Sequence, residues 1–171
     1  MAKQILVELE ETKNNLLQNF SVFTQEQVNI SPFEGSWTAG QVAEHIVMFS
    51  SGALSALKAN GKETVRNPEE KVKVLGDIFL NFNIKMQSPE FVKPSNDAKN
   101  KEELYNSLDH ILAETLELAR IKDLTATFAE FEFPTLGHLT RAEWLYFVLF
   151  HIQRHIRQLE NIHNVLLSKA A

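Results

Sequence analysis

His151 and His155, four residues apart, have more capacity for chemistry than any other pair in this sequence. On an α-helix that spacing sets the two rings about 40° apart around the axis and their Cα atoms about 6 Å apart, so both can approach one ion. Spacing alone is a weak signal, and direction strengthens it. Trp144, Phe147, Val148, Ile162 and Leu166 fall within about 60° of His151 on the 3.6-residue period, so the imidazoles sit in the middle of an apolar stripe. Two adjacent rings there leave four nitrogens to satisfy, and one metal ion satisfies two of them together. The competing reading is a pair of neutral core histidines, each hydrogen-bonded across the core.

A helical histidine pair ordinarily recruits a third ligand, and His45 is the best candidate, because Val42, Phe49 and Ala56 share its face. The run His-Ile-Gln-Arg-His lacks the Glu that follows the first His in helical zinc proteases, so that reading has no general base. Gln158, about 20° from His151 and one turn beyond His155, and Gln41, one turn before His45, could hold a ligand imidazole N–H or a water. Arg154 flanks the pair and could meet an anionic substrate group, against an ordinary salt bridge to Glu160 or Glu44. His110 and His163 fall off the apolar stripes and read as solvated, while His138 stands in a loop that could line a pocket mouth. Gly52, near His45, suggests close helix approach.

These side chains require helices to carry them. Apolar residues recur at spacings of three and four, with no sustained period-2 alternation, so the chain reads as all-α. The first helix runs over about Lys3–Val22 through Ile5, Leu9, Thr12, Leu16 and Phe20. Thr38-Ala39-Gly40-Gln41 has capping-box spacing and opens a second helix, Thr38–Asn60. Asn67-Pro68-Glu69-Glu70 predicts an inserted helix from Pro68 to Gln87, with the stripe Val72, Leu75, Phe79, Phe82 and Met86. Gln87–Asn100 is a long connection, Lys101–Arg120 a third bundle helix, and Ala126–Leu139 an apolar loop that must fold back on the body. Thr140-Arg141-Ala142-Glu143 repeats the capping box and opens the longest helix, Thr140–Ser168. The expected architecture is a four-helix bundle with an extra helix and long loops between helices two, three and four, as a single domain over residues 1–171.

Composition limits the chemistry. Of 171 residues none is cysteine, which excludes disulfides, a protein thiolate nucleophile and Cys-ligated zinc or iron–sulfur sites, and leaves six histidines as the strongest transition-metal ligands. A net charge of −5 without a basic block argues against a nucleic-acid surface. The longest apolar run, Trp144–Phe150, is seven residues, where a membrane span needs about twenty. The start, MAKQILVELEETKNNLL, lacks the apolar core of a secretion signal, so the expected location is cytoplasmic.

The stretch Ser36-Trp37-Thr38-Ala39-Gly40-Gln41-Val42-Ala43-Glu44-His45, with Gly137-His138-Leu139-Thr140-Arg141-Ala142-Glu143-Trp144 continuing into His151-Ile152-Gln153-Arg154-His155, resembles the DinB/YfiT-like superfamily of metalloenzyme candidates. Those proteins open their second helix with Trp-Thr/Ser and a His seven residues beyond the Thr, and carry His-x-x-x-His on the last. The resemblance implies up-down-down-up topology, a divalent metal, often nickel or zinc, on His45, His151 and His155, and frequent homodimers. It also implies activities that include thiol-dependent S-transfer and leaves the reaction open.

Two functional classes follow. One is a metal-dependent enzyme acting on a small molecule, by hydrolysis or by transfer of a low-molecular-weight thiol, which must arrive as a cosubstrate because the chain has no cysteine. The other is a non-catalytic metal-binding dimeric helical module. A plain bundle with polar core histidines is the third possibility.

Overall fold

The computed structural model describes residues 2–170. Five α-helices are present: α1 (Ala2–Ser21), α2 (Ala39–Lys58), α3 (Val72–Phe79), α4 (Lys101–Ile121) and α5 (Arg141–Ala170). Two-residue strands β1 (Gly61–Lys62) and β2 (Thr127–Phe128) pair antiparallel, a contact too short to leave a period-2 signature. The architecture is the four-helix bundle expected, with α3 as its extra helix.

Contacts between helix ends fix the direction of each. Lys101 Nζ donates to the Ser21 carbonyl and Lys13 pairs with Asp109, so α1 and α4 run antiparallel. Lys58, at the end of α2, pairs with Glu114 well along α4, while Gly40 at the start of α2 lies against Lys99, so α2 and α4 are parallel. Phe23, just beyond α1, meets His163 late in α5, and Arg141, which opens α5, donates to the Ala59 carbonyl beyond the end of α2. The order is therefore up (α1), down (α2), down (α4), up (α5).

The stripe on α1 is buried as the periodicity requires: Ile5, Leu9, Thr12, Leu16 and Phe20 lie in the core, and Phe23 just beyond the helix joins them. Both predicted capping boxes form. The Gln41 N–H donates to Thr38 Oγ1 (3.1 Å) while Gln41 Oε1 accepts from the Thr38 N–H (3.0 Å). The Glu143 N–H donates to Thr140 Oγ1 (3.1 Å) and a Glu143 oxygen accepts from the Thr140 N–H (2.9 Å). They start α2 and α5 at fixed residues, and so fix the rotation of the faces that carry the histidines.

The inserted helix is shorter at both ends than Pro68–Gln87. At its start Asn67 Oδ1 accepts from the Glu69 N–H, the Pro68 carbonyl accepts from Thr140 Oγ1, and the Glu143 carboxylate takes the Lys71 N–H, so residues 67–71 form a turn docked on the head of α5. At its end the Arg154 guanidinium takes the carbonyls of Phe79, Asn81 and Ile84, which a continuing helix would use itself. Leu75 is buried, but Phe82 and Met86 stand exposed.

The apolar loop folds back as expected. Phe128, Leu139, Trp144, Phe147, Leu75 and Ala56 form a second cluster beside the main core, with Phe79 and Phe133 packed on it. The same loop is clipped from outside by Lys71, which donates to the Leu136 and His138 carbonyls. Among the described residues no helix is long and apolar enough to cross a membrane.

Candidate metal centre

His45 is brought to the pair on α5 because α2 packs antiparallel against the first half of that helix. The three residues are 3% (His45), 7% (His151) and 8% (His155) exposed. His151 Nε2 lies 3.2 Å from His45 Nε2 and 3.2 Å from His155 Nε2. Of the six histidines, only these three form a cluster of possible ligands, and no carboxylate joins it among the described residues.

The hydrogen bonds of the outer ring nitrogens determine what the inner ones can do. The Val92 carbonyl lies 2.7 Å from His45 Nδ1, and a carbonyl only accepts, so His45 carries its proton there and presents a lone pair at Nε2. His155 likewise donates from Nδ1 to Gln158 Oε1 at 2.8 Å and presents Nε2. His151 Nδ1 is buried without a hydrogen-bond partner. If the single proton of His151 stands on Nε2, it can be donated to only one neighbour, and the other contact sets lone pair against lone pair. A divalent ion would relieve this conflict. Imidazole nitrogens at about 2.0–2.1 Å from one tetrahedral ion stand about 3.4 Å apart, close to the separations found here. The donor set therefore fits a metal.

Electrostatics favour the neutral, ligating form of each ring. Burial, opposed by the hydrogen bond to Val92, pulls the His45 pKa down. Burial and then the neighbouring His155 and His45 hold His151 well below the ordinary histidine range. Burial first, and His45 next, lower His155 to about 3 against the opposing hydrogen bond to Gln158.

Aromatic rings pack against two of the three imidazoles. Phe49 stacks on His151 with centroids 3.8 Å apart, and Trp37 lies 5.1 Å from His45. Neither role was evident from spacing, although Phe49 lies on the His45 face and Trp37 directly precedes the cap.

The remaining candidates separate. Gln158 reaches the site. Gln41 does not: its oxygen closes the cap of α2 and its Nε2 donates to Ser95 O and Asn96 Oδ1. Arg154 faces backbone carbonyls and not an open anion site, and Glu44 pairs with Lys99. His138 is exposed and lies on a surface groove with Lys62 and Arg66, away from the three rings. His110 is exposed, whereas His163 is half-buried edge-on to Phe23, a correction to its solvated reading. A Cβ on Gly52 would meet nothing within 4 Å, so no helix approaches it.

Sequence reasoning missed the Val92 carbonyl, since any residue supplies one and the partner is 47 positions away. It also missed that Glu143, beyond capping α5, accepts both Arg66 Nη1 and Nη2 at 2.6 Å with its side chain fully buried. That pair ties the segment before α3 to the head of the helix that carries His151 and His155.

Comparison with known proteins agrees with this fold. A protein of Bacillus subtilis (strain 168), uncharacterized protein YuaE, is 24% identical over 145 residues, covering 81% of this chain and 85% of its own. Two solved structures share the fold. One is TT2238, described as a four-helix bundle protein (TM-score 0.61, 21% identity, covering 94% of this chain and 99% of its own). The other is YfiT from Bacillus subtilis, described as a probable metal-dependent hydrolase with an unusual four-helix bundle topology (TM-score 0.63, 18% identity, covering 95% of this chain and 86% of its own). The family model of the DinB superfamily matches residues 8–159, a span that includes all three histidines, and the chain belongs to that superfamily.

Proposed function

We propose that this protein is a divalent-metal-dependent enzyme acting on a small electrophilic molecule, by hydrolysis or by transfer of a low-molecular-weight thiol, with His45, His151 and His155 as ligands. The convergence of three buried Nε2 atoms, two of them committed to the lone-pair form, carries the reading. Three neutral ligands leave the ion's 2+ charge uncompensated and a coordination position open, the pattern of a catalytic rather than a structural site. The bound ion would supply Lewis acidity and lower the pKa of a water or thiol reaching it.

The chain's own residues contribute orientation and exclusion of water. Val92 and Gln158 fix the tautomers of His45 and His155, and Phe49 and Trp37 keep the rings from turning. With no cysteine in the chain, any sulfur nucleophile arrives with a cosubstrate. Nickel and zinc both accept imidazole nitrogen and are the proposed metals. The similarity to YfiT, a probable metal-dependent hydrolase, supports the hydrolytic branch. A homodimeric, cytoplasmic protein that engages neither nucleic acid nor membrane completes the proposal.

Purified chain incubated with nickel or zinc and then desalted should retain one ion per chain, and His151→Ala should lose it. Loaded protein should then turn over members of a panel of activated esters and amides, or of electrophiles offered with small thiols. Absence of stoichiometric metal, or uptake unchanged in His151→Ala, overturns the metal centre. Metal without turnover of any panel member favours the non-catalytic binding module.

A further inference from the structure

The segment between α3 and α4 links the two helices that carry the histidines. At one end Arg154, which stands on α5 between His151 and His155, donates through Nη1 to the carbonyls of Phe79 (3.2 Å) and Asn81 (3.0 Å) and through Nη2 to that of Ile84. Arg157 lies over the Phe82 ring, its guanidinium carbon 4.4 Å from the centroid. At the other end, on α2, His45 donates to the carbonyl of buried Val92. Between these anchors the segment packs little: Ile84 is 44% and Met86 38% exposed. A segment with few buried apolar contacts is held by its end contacts, and it loosens when one is removed.

We propose that Arg154 is a positioning residue for His45. By gripping the carbonyls of residues 79–84 it seats the strap 80–92, the seated strap keeps the Val92 carbonyl against His45 Nδ1, and that bond aims the His45 Nε2 lone pair at the two histidines of α5. One helix thus sets the ring orientation of a ligand on another. A guanidinium suits the task, since its planar fork presents five donors to carbonyls in different directions, where a lysine ammonium offers a compact point charge on a flexible stem. The grip accounts for Arg154 facing carbonyls beside a metal centre. Its effect on metal affinity rests on the metal-centre reading, whereas the link from Arg154 to His45 is a property of the metal-free chain.

The test uses the full chain with nitrogen-15 histidine. In the metal-free protein the His45 Nδ1–H proton should give a slowly exchanging NMR signal. Arg154→Ala should raise its solvent exchange at least tenfold and speed amide exchange over 80–92, while the core amides of α1 and α4 keep their protection. Titrated with Zn2+ alone against a chromophoric chelator, the variant should bind about tenfold more weakly, the size of effect seen when a ligand histidine loses its outer hydrogen bond. With Co2+ its visible spectrum should shift, and Arg154→Lys should recover only part of both. Arg157→Ala, a weaker grip on the same strap, should move each readout less in the same direction and serves if Arg154→Ala does not fold. A His45 Nδ1–H signal unchanged in the variants overturns the proposal, even if the strap itself exchanges faster. A wild-type chain that takes up neither Zn2+ nor Ni2+ overturns the metal centre instead, and the imidazole signal still decides the role of Arg154.

Discussion

His155 and Gln158 stand on the same face of α5, the imidazole Nδ1 2.8 Å from the amide oxygen, so a neutral amide on the histidine's own helix selects which ring nitrogen faces His151. Gln158→Leu keeps approximate volume and removes the acceptor. Zinc affinity, read by chelator competition, should fall about 10-fold or more, and Gln158→Glu should restore it. Equal affinity in wild type and Gln158→Leu would show that the packing around the ring orients it unaided.

The Arg66–Glu143 pair predicts a loss of stability without a loss of ligands. Glu143 is fully buried and receives both guanidinium nitrogens, so Arg66→Ala leaves a buried carboxylate held only by the N–H groups of Thr140 and Lys71. The urea midpoint should drop by the equivalent of about 3 kcal/mol, the scale for removing one partner of a buried pair. Folded protein should still take up one metal per chain. A change below about 1 kcal/mol would mean that the two backbone donors already compensate the charge.

Acid should destabilise the metal-free protein through its histidines. All three have pKa values lowered by burial, His155 to about 3, while an unfolded histidine titrates near 6.5. Below that value the unfolded chain binds more protons than the folded one, so stability rises with pH. The contribution is complete above about pH 6.5 and is lost as pH falls toward the folded pKa values, at up to about 1.4 kcal/mol per pH unit for each histidine. His155→Phe, compared with wild type by chemical unfolding between pH 7 and 5, should show a shallower slope. Parallel slopes would contradict the assignment.

Two glycines on α2 should respond to alanine with opposite signs. A Cβ on Gly40 would stand 2.8 Å from the Val28 carbonyl oxygen and 2.8 Å from Lys99 Cγ, and the carbonyl belongs to backbone that must shift. Gly40→Ala should cost about 1–3 kcal/mol, the range for overpacking. Exposed Gly52 has open space around it, so Gly52→Ala should stabilise by up to about 1 kcal/mol through helix propensity. Thermal unfolding of both variants checks the pair.

The sequence by itself determined the helices and the faces that matter on them. Helix periodicity and capping are local, written within a turn or two, so the α1 stripe, the starts of α2 and α5, and the inward direction of His45, His151 and His155 could all be read from spacing. Gln158 was legible for the same reason, since it lies three residues from the ring it holds. Tertiary structure decided whatever depends on groups distant in sequence or on backbone. Arg154 and Glu143 reach across the fold to cut α3 back at both ends, the Gln41 side chain is drawn to Ser95 and Asn96 instead of to His45, and the carbonyl of Val92 sets the His45 tautomer. A hydrogen-bonding side chain goes where the fold offers a partner, and a carbonyl has no residue type to announce it. The histidine faces were therefore fixed by the helices themselves, and the groups that aim the imidazoles by how the helices and the strap meet.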